Sequence, residues 1–586
     1  GANGANGTLS ATRGGVVVIE TSAGASGPGQ IDLGLTNIAA SGDIAGRIEL
    51  RAGGNITLAG LDARALGSAA PTNNDTDTAL AGIFIAPTGG TIASQGDVTL
   101  TTDGSVGVYA RSNGIVDVNG ILTINAGDQI DIRHDVREGE AATLRASDSL
   151  IATAATSISA APGSLLGAGG TLSLTVTGPT GTIGVDRLAG VDISLNSAGA
   201  ASVEHAEAVN DFNATAGSFR TGLNSIITGG DIVIASPGAV DLGNSTAGGF
   251  VQVTGQSIIF NNIDAGMSVG LSANATAAGA EGIRGGSITA GADINLFANS
   301  IALAGTVTGT GSFFASGSGG AVAVNEADVD GSIAIFSAAD LSGTYVAGGD
   351  IFLNSGADIA ASAQANGGYI DGNGNATQGN LFVIAAGDAA LTDSSAGRMF
   401  GVNAGAAASV DGGTAGEDIL ILAGTTANLT DVTGGDDITV RAPGNITAQN
   451  VRTTGAGADT HILDFSMASG SPTFTIGMGE GTEGTNGADI VMASTTGAID
   501  AAALAAGGGI LPNAANSLAV DGATTLGLGT TGGDSSIRTQ GGATTLAGVD
   551  SFSDVVVDAA GLANLAGGVA AGRNAAVNAQ EGTSAG

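Results

Sequence analysis

Gly-Gly-Asp-Ile-Phe-Leu, residues 348–353, decides how this chain folds, because the same phrase returns along it. Gly-Gly-Asp-Ile-Val-Ile begins at Gly229, Ala-Asp-Ile-Asn-Leu-Phe at Ala292 and Glu-Asp-Ile-Leu-Ile-Leu at Glu417. Asp-Asp-Ile-Thr-Val-Arg follows from Asp436 and Ala-Asp-Ile-Val-Met-Ala from Ala488. Shorter echoes stand at Gly42-Asp43-Ile44, Gly54-Asn55-Ile56, Gly96-Asp97-Val98 and Gly444-Asn445-Ile446. A unit that recurs along a whole chain means one structural element stacked on copies of itself. After each acid, apolar residues alternate with small or polar ones, which is the period of a strand.

The spacing selects among β architectures. Strand starts near Asp293, Ser312, Ser332 and Ile351 follow one another at about 19–20 residues, and Asp418 to Asp437 repeats the step. Shorter runs such as Ile301-Ala302-Leu303 and Ala321-Val322-Ala323-Val324 fall about midway. Propeller blades need roughly 40 residues and immunoglobulin-like modules roughly 100. The expected fold is therefore all-β, a right-handed parallel β-helix with about 19–20 residues per coil. It is expected to run as one continuous β-solenoid over residues 1–586, internal to a longer chain.

In such a stack, equivalent residues sit about 4.8 Å apart. The isoleucine after the acid should point inward, onto the isoleucines above and below. Glycine is expected to turn the corner at positive φ, with the Asx side chain capping local backbone N–H groups. That reading gives Asp231, Asp293, Asp350, Asp418, Asp437 and Asp489 a structural role. Three stretches break the rhythm and read as protruding loops: 66–78, 363–379 and 466–487. The last contains Phe474-Thr475-Ile476, which reads as a short hairpin or side strand. The alanine-rich stretches 501–506 and 559–571 are interrupted by glycine and read as strand or loop. Insertions on a solenoid project from one face, so binding is expected there. An end coil exposes unpaired strand edges, and neither end of the sequence offers an amphipathic helix or charged cap. The solenoid is thus expected to continue, into further repeats or by end-to-end or lateral self-assembly.

Composition excludes several classes. The 586 residues include 103 glycines and only 9 prolines, too much glycine for an ordinary globule and too little proline for collagen. With 43% hydrophobic residues and a mean hydropathy of +0.32, disorder is also a poor fit. All 16 basic residues are arginine, against 53 acids, for a net charge of −37. Without lysine there is no Walker A loop and no Schiff-base chemistry. The acidic field disfavours nucleic acid and anionic membrane surfaces as partners. The acids are scattered, as on a solvated, self-repelling surface. Cysteine is absent, which suits an exported chain and is compatible with a cytosol. The sequence opens on no signal-peptide pattern, and no apolar run approaches the ~20 residues of a membrane span.

Candidate chemistry is sparse. His134 lies in Asp128-Gln-Ile-Asp131-Ile-Arg-His134-Asp135, where a strand sends Asp131 and His134 to opposite faces. His205 and His461 are remote from it. The Gly-x-Ser-x-Gly matches at Gly266 and Gly582 lack a strand-turn-helix setting and a following histidine, and read as coincidence. Asp436-Asp437, Glu417-Asp418 and Asp128 with Asp131 are the acid pairs that a β-helical glycan-active enzyme would use. No tryptophan and only Tyr109, Tyr345 and Tyr369 accompany them, so no sugar platform is evident. Asp371-Gly-Asn373-Gly-Asn375 resembles the first half of a calcium loop. Ala376 replaces its sixth-position glycine, however, and Phe382 its twelfth-position glutamate. The calcium-binding RTX spacing fails as well, because Asp231, Asp350 and Asp436 directly follow Gly-Gly. No cofactor is expected beyond adventitious calcium at Asp371, Asn373 and Asn375; a calcium-ordered surface-layer or RTX-like protein is the alternative reading. The Asn-x-Ser/Thr triplets at Asn55, Asn213, Asn244, Asn274, Asn375, Asn428 and Asn445 have the pattern of glycosylation acceptors, but in a stacked solenoid an asparagine ladder is the commoner cause.

The recurring phrase and its regular step resemble the repeat region of filamentous haemagglutinin-like exoproteins. These are large bacterial adhesins exported by two-partner secretion or as autotransporters. The resemblance covers essentially the whole chain and rests on texture; the Asn-Pro-Asn-Gly secretion motif and a terminal membrane barrel are not in the sequence. It implies a right-handed parallel β-helix at the bacterial outer cell surface or in an extracellular filament. It also implies a non-catalytic role in adhesion or biofilm, with other cells, surface glycans or matrix as partners.

Overall fold

The structure is a computed structural model. It describes residues 97–102, 105–110, 115–134, 142–222, 226–274, 282–369, 377–454, 490–501, 504–506, 510–514, 518–520, 524–526, 535–551, 554–567 and 569–585. It also describes the hairpin 462–465 with 474–477 and, before residue 97, nine isolated strand segments between Leu9 and Ser94. The chain divides into two compact units, Gly1–Ala275 and Thr276–Gly586.

Both units are parallel β-solenoids, and no helix occurs among the described residues. In the first unit one inward ladder runs Val98, Leu122, Leu150, Leu172, Ile193, Phe212, Ile232, Val251, Val269, each paired in parallel with the next. The steps are longest at its start, from Val98 to Leu122 and from Leu122 to Leu150. From Ile193 onward they settle to about 19 residues. In the second unit the equivalent ladder runs Ile294, Phe313, Ile333, Ile351, Leu381, Phe400, Ile419, Ile438, Ile490. It keeps the same step except at two places, Ile351 to Leu381 and Ile438 to Ile490, where an insertion lengthens the coil. Every member of both ladders is at most 2% exposed. Each such side chain contributes about 1.5–3 kcal/mol on burial, and each finds its partners only in adjacent coils, so no coil has a core of its own.

The coil is three-sided. Phe313–Gly317 forms the first side, its burial alternating in step with its sequence. Val322–Val329 then makes the other two sides, bending where its pairing register shifts between Val324 and Glu326. The alanine-rich stretches are strands as well: Ile499–Ala501 and Leu504–Ala506, then Val555–Ala559, Ala563–Leu565 and Val569–Ala571.

The corner glycines work differently from expectation. Positive φ is found at Gly367, Gly379 and Gly412, but at none of Gly229, Gly230, Gly348, Gly349, Gly434 or Gly435. What these positions require is close approach. A Cβ on Gly229 would lie far inside van der Waals contact of the Val209 carbonyl oxygen, on Gly348 of the Asp330 oxygen, and on Gly435 of the Gly416 oxygen. At the same corners the glycine N–H groups bond to the coil below, Gly348 to the Val329 carbonyl at 2.9 Å and Gly435 to that of Ala415 at 2.9 Å. Coils press together there, and a methyl group has no room.

Candidate functional site

The acid of the phrase stands at the corner that leads into the first side. Its side chain reaches one coil onward rather than capping local backbone. Asp231 Oδ1 accepts the Phe250 N–H at 2.9 Å, Asp293 Oδ1 that of Ser312 at 2.8 Å, and Asp418 Oδ1 that of Asp437 at 3.1 Å. Where the corner residue is serine the hydroxyl does the same: Ser312 accepts from Ser332 at 3.2 Å, and Ser332 from Asp350 at 3.1 Å. A second ladder marks the next corner, where Asp358 accepts from Asp388 and Asp388 from Ala407, both at 2.8 Å. The expectation of local capping is thus corrected: the corner N–H points along the stack, so only the neighbouring coil's side chain meets it. Asp293→Ala should cost about 1–2 kcal/mol, with faster amide exchange at Ser312, whereas Asp293→Asn keeps the acceptor and should cost less. Equal losses in the two variants would mean that the bond to Ser312 is not what matters.

Both long steps of the second unit open at this same corner. The strand Ile359–Ala365 runs further than expected, into the stretch read as loop, because Ala363 and Ala365 keep the inward period and are 0% and 1% exposed. The first insertion therefore starts at Asn366. Its root is a short ladder in which the Gly368 N–H bonds to the Thr377 carbonyl at 2.9 Å and the Thr377 N–H to that of Tyr369 at 2.7 Å. Gly367 and Gly379, at φ +77° and +71°, cross there at a distance that admits no side chain. The stack closes beneath, since the Gly397 N–H bonds directly to the Ala365 carbonyl at 2.7 Å. The second insertion carries the expected hairpin, Ile462–Phe465 antiparallel to Phe474–Gly477. Loop 66–78 lies outside the described residues, as do the calcium candidates Asp371, Asn373 and Asn375 and the repeat residue Asp489.

Asp350 holds the root of the first insertion. Its Oδ1 accepts the Asn380 N–H at 2.8 Å, and it is 3% exposed. Burial pushes its carboxyl up to about 6, against the opposing pull of the Asn380, Gly379 and Gln378 N–H groups and the Arg398 guanidinium. Arg398 Nε in turn meets Glu417 Oε2 at 2.6 Å one coil on. In the preceding coil, Tyr345 is wholly buried with its hydroxyl donating to the Ser342 carbonyl at 2.8 Å, and burial holds its phenol far above the ordinary range.

The candidate acid pairs are engaged within the stack. Glu417 pairs with Arg398, and Asp418 accepts from the Asp437 backbone. Asp128 accepts the Ser105 and Thr156 hydroxyls at 2.9 and 2.8 Å, and Asp131 that of Ser159 at 3.4 Å. His205 Nε2 lies 2.8 Å from Glu207 on its own strand; the His134 side chain and His461 lie outside the described residues. Ser268 sits in the turn into Val269–Ala273, a strand. Asn244 Oδ1 accepts from Asn262 Nδ2 at 2.8 Å, a stacked asparagine pair as expected. Among the described residues no group of three or more His, Asp or Glu is placed to hold a metal ion.

One feature escaped the sequence. The outside of the first side in the second unit carries a run of rings, Phe297, Phe314, Phe336, Phe352 and Phe382, with centroids 5.3, 5.7, 5.4 and 5.9 Å apart. They switch between two outward positions of successive strands, so their spacing along the chain is uneven and hides from a search at the coil's own period. Comparison with family models, curated proteins and solved structures finds no match for the chain.

Proposed function

We propose that this chain is a structural and adhesive protein of a bacterial cell surface or extracellular filament, with no catalytic role. The solenoid serves as the support and its insertions as the contact elements. The observation that carries this reading is the root of the first insertion: the stack closes from Ala365 to Gly397 beneath it, so the loop adds to a completed coil. A segment outside the closed stack, held by its own short ladder, supports that reading, because recognition on a rigid scaffold falls to such loops. The recurring carboxylates, meanwhile, are engaged in joining coil to coil, which leaves the phrase a structural purpose. Cells, surface glycans or matrix are the targets that an adhesive role implies, and export to the outer surface belongs to the same proposal.

The test is excision. Replacing residues 367–378 by a short glycine linker, alone and together with 455–488, should leave the far-UV β signal intact. Binding of the protein to cells or matrix should fall by about tenfold or more, roughly 1.4 kcal/mol. Undiminished binding by the double deletion would sink the assignment of recognition to the insertions. Collapse of the β signal on adding EDTA would instead favour a calcium-ordered protein.

A further inference from the structure

We infer that the first side of the second unit is a self-association surface, laid face to face against the same side of a second copy of this chain. The surface in question is the stretch of this side formed by seven successive strands, from Ile294–Ala298 to Ile419–Ala423. Their sequences are INLFA, FFASG, IAIFS, IFLNS, LFVIA, FGVNA and ILILA, and none of the outward positions is charged. The run ends at Arg441, in the next strand. In a chain of net charge −37 this absence is informative, because the third side carries Glu326 and Asp328 outward and exposed, and Asp431 stands exposed at the bend before it. The second side is lined outwardly by small residues such as Ala302, Ala323 and Ser342.

The first side alone also presents large apolar groups. Phe352 and Phe382 are already covered, at 1% and 5% exposure. Phe297 is 48% exposed, and Phe314, Phe336, Ile384, Leu420 and Leu422 are half-buried. Corner acids such as Asp293 and Asp358 border the strip, so an apolar centre lies inside an acidic rim, the layout of a contact surface.

Charge and area together favour a second copy as the occupant. Two molecules of this charge repel through every acidic surface, and an uncharged strip is where they approach at least cost. A basic partner would find no carboxylate on the strip itself. Six coil steps of about 4.8 Å along strands of about 17 Å give roughly 500 Å² per copy. The two copies then bury about 1,000 Å², near the lower bound for a specific interface. The association is accordingly weak, and it strengthens with salt, because screening removes repulsion between the rims. This inference is independent of the adhesive role of the insertions.

Sedimentation velocity of the full chain between 0.05 and 0.5 M NaCl tests it. The dimer constant should tighten by about tenfold with salt. Phe297→Asp with Leu422→Asp should weaken it by about tenfold or more at high salt. Ala302→Asp with Ala390→Asp, which adds the same charge to the second side, should leave it unchanged, and far-UV spectra verify that each variant is folded. A protein that stays monomeric at 0.5 M salt overturns the inference, even if those rings instead retain it on insoluble cellulose. Equal weakening by Ala302→Asp with Ala390→Asp overturns it too, because overall charge rather than this surface would then be responsible.

Discussion

Gly435→Ala should destabilise the unit Thr276–Gly586 by about 3 kcal/mol or more. The added methyl would occupy the space of the Gly416 carbonyl oxygen. Neither coil is free to yield, because the Gly435 N–H is bonded to Ala415 and the Gly416 N–H to Ala396, at 2.9 and 3.1 Å. Relief requires the corner to open, which also lengthens the bond from the Asp437 N–H to Asp418 beside it. Gly270→Ala is the matched control. A Cβ there meets nothing within 4 Å and its φ is ordinary, so the substitution should be neutral or stabilise by about 0.5–1 kcal/mol through the unfolded chain. Denaturant midpoints measure both, and amide exchange at residues 416–418 and 435–438 should accelerate only in Gly435→Ala. Similar effects of the two substitutions would refute the argument that close approach, and not glycine's backbone freedom, sets the corner.

That contrast shows where the sequence is legible. Step length and inward residue were both readable, because Ile294, Ile351, Ile419 and Ile438 repeat at a fixed place after the acid and all lie in the core. The partner of the acid was not readable. Rules for Asx residues concern neighbours two or three positions away, whereas Asp293 bonds to a residue 19 positions on. Insertion limits blurred for a similar reason: Ala363 and Ala365 look like loop alanines until Tyr345 and Ala347 are seen paired with them in the coil below. The hairpin strand at Phe474 was visible by its own alternation, but its partner Ile462–Phe465 begins before the stretch where the rhythm breaks. The ring row on the first side was invisible because its first four rings alternate between two outward positions, and the insertion separates the register-paired Phe352 and Phe382 along the chain. A stacked fold writes its core at one period, while surface groups need only be neighbours in space.

Asp350 makes the pH dependence of the second unit predictable in sign. Its carboxyl is pushed from 3.8 to about 6 in the folded chain, first by burial. Between those values the folded state holds a proton that the unfolded state has released, so stability falls as pH rises through that window. It is greatest below about pH 4 and lowest above about pH 6, the full difference being about 3 kcal/mol. Asp350→Asn removes this dependence, because an amide stays neutral while its oxygen still accepts the Asn380 N–H. The variant should match the wild type near pH 4 and exceed it by about 1–3 kcal/mol at pH 7. Arg398 opposes the shift and pairs with Glu417, so Glu417→Gln, which leaves Arg398 to Asp350 alone, should narrow the window from above. Comparing denaturant midpoints of wild type and variant from pH 4 to 8 cancels the background of the chain's other acids. A difference that is flat across this range, or a variant weaker than the wild type at pH 7, would show that the carboxylate at the insertion root is stabilised by its N–H donors more than burial penalises it.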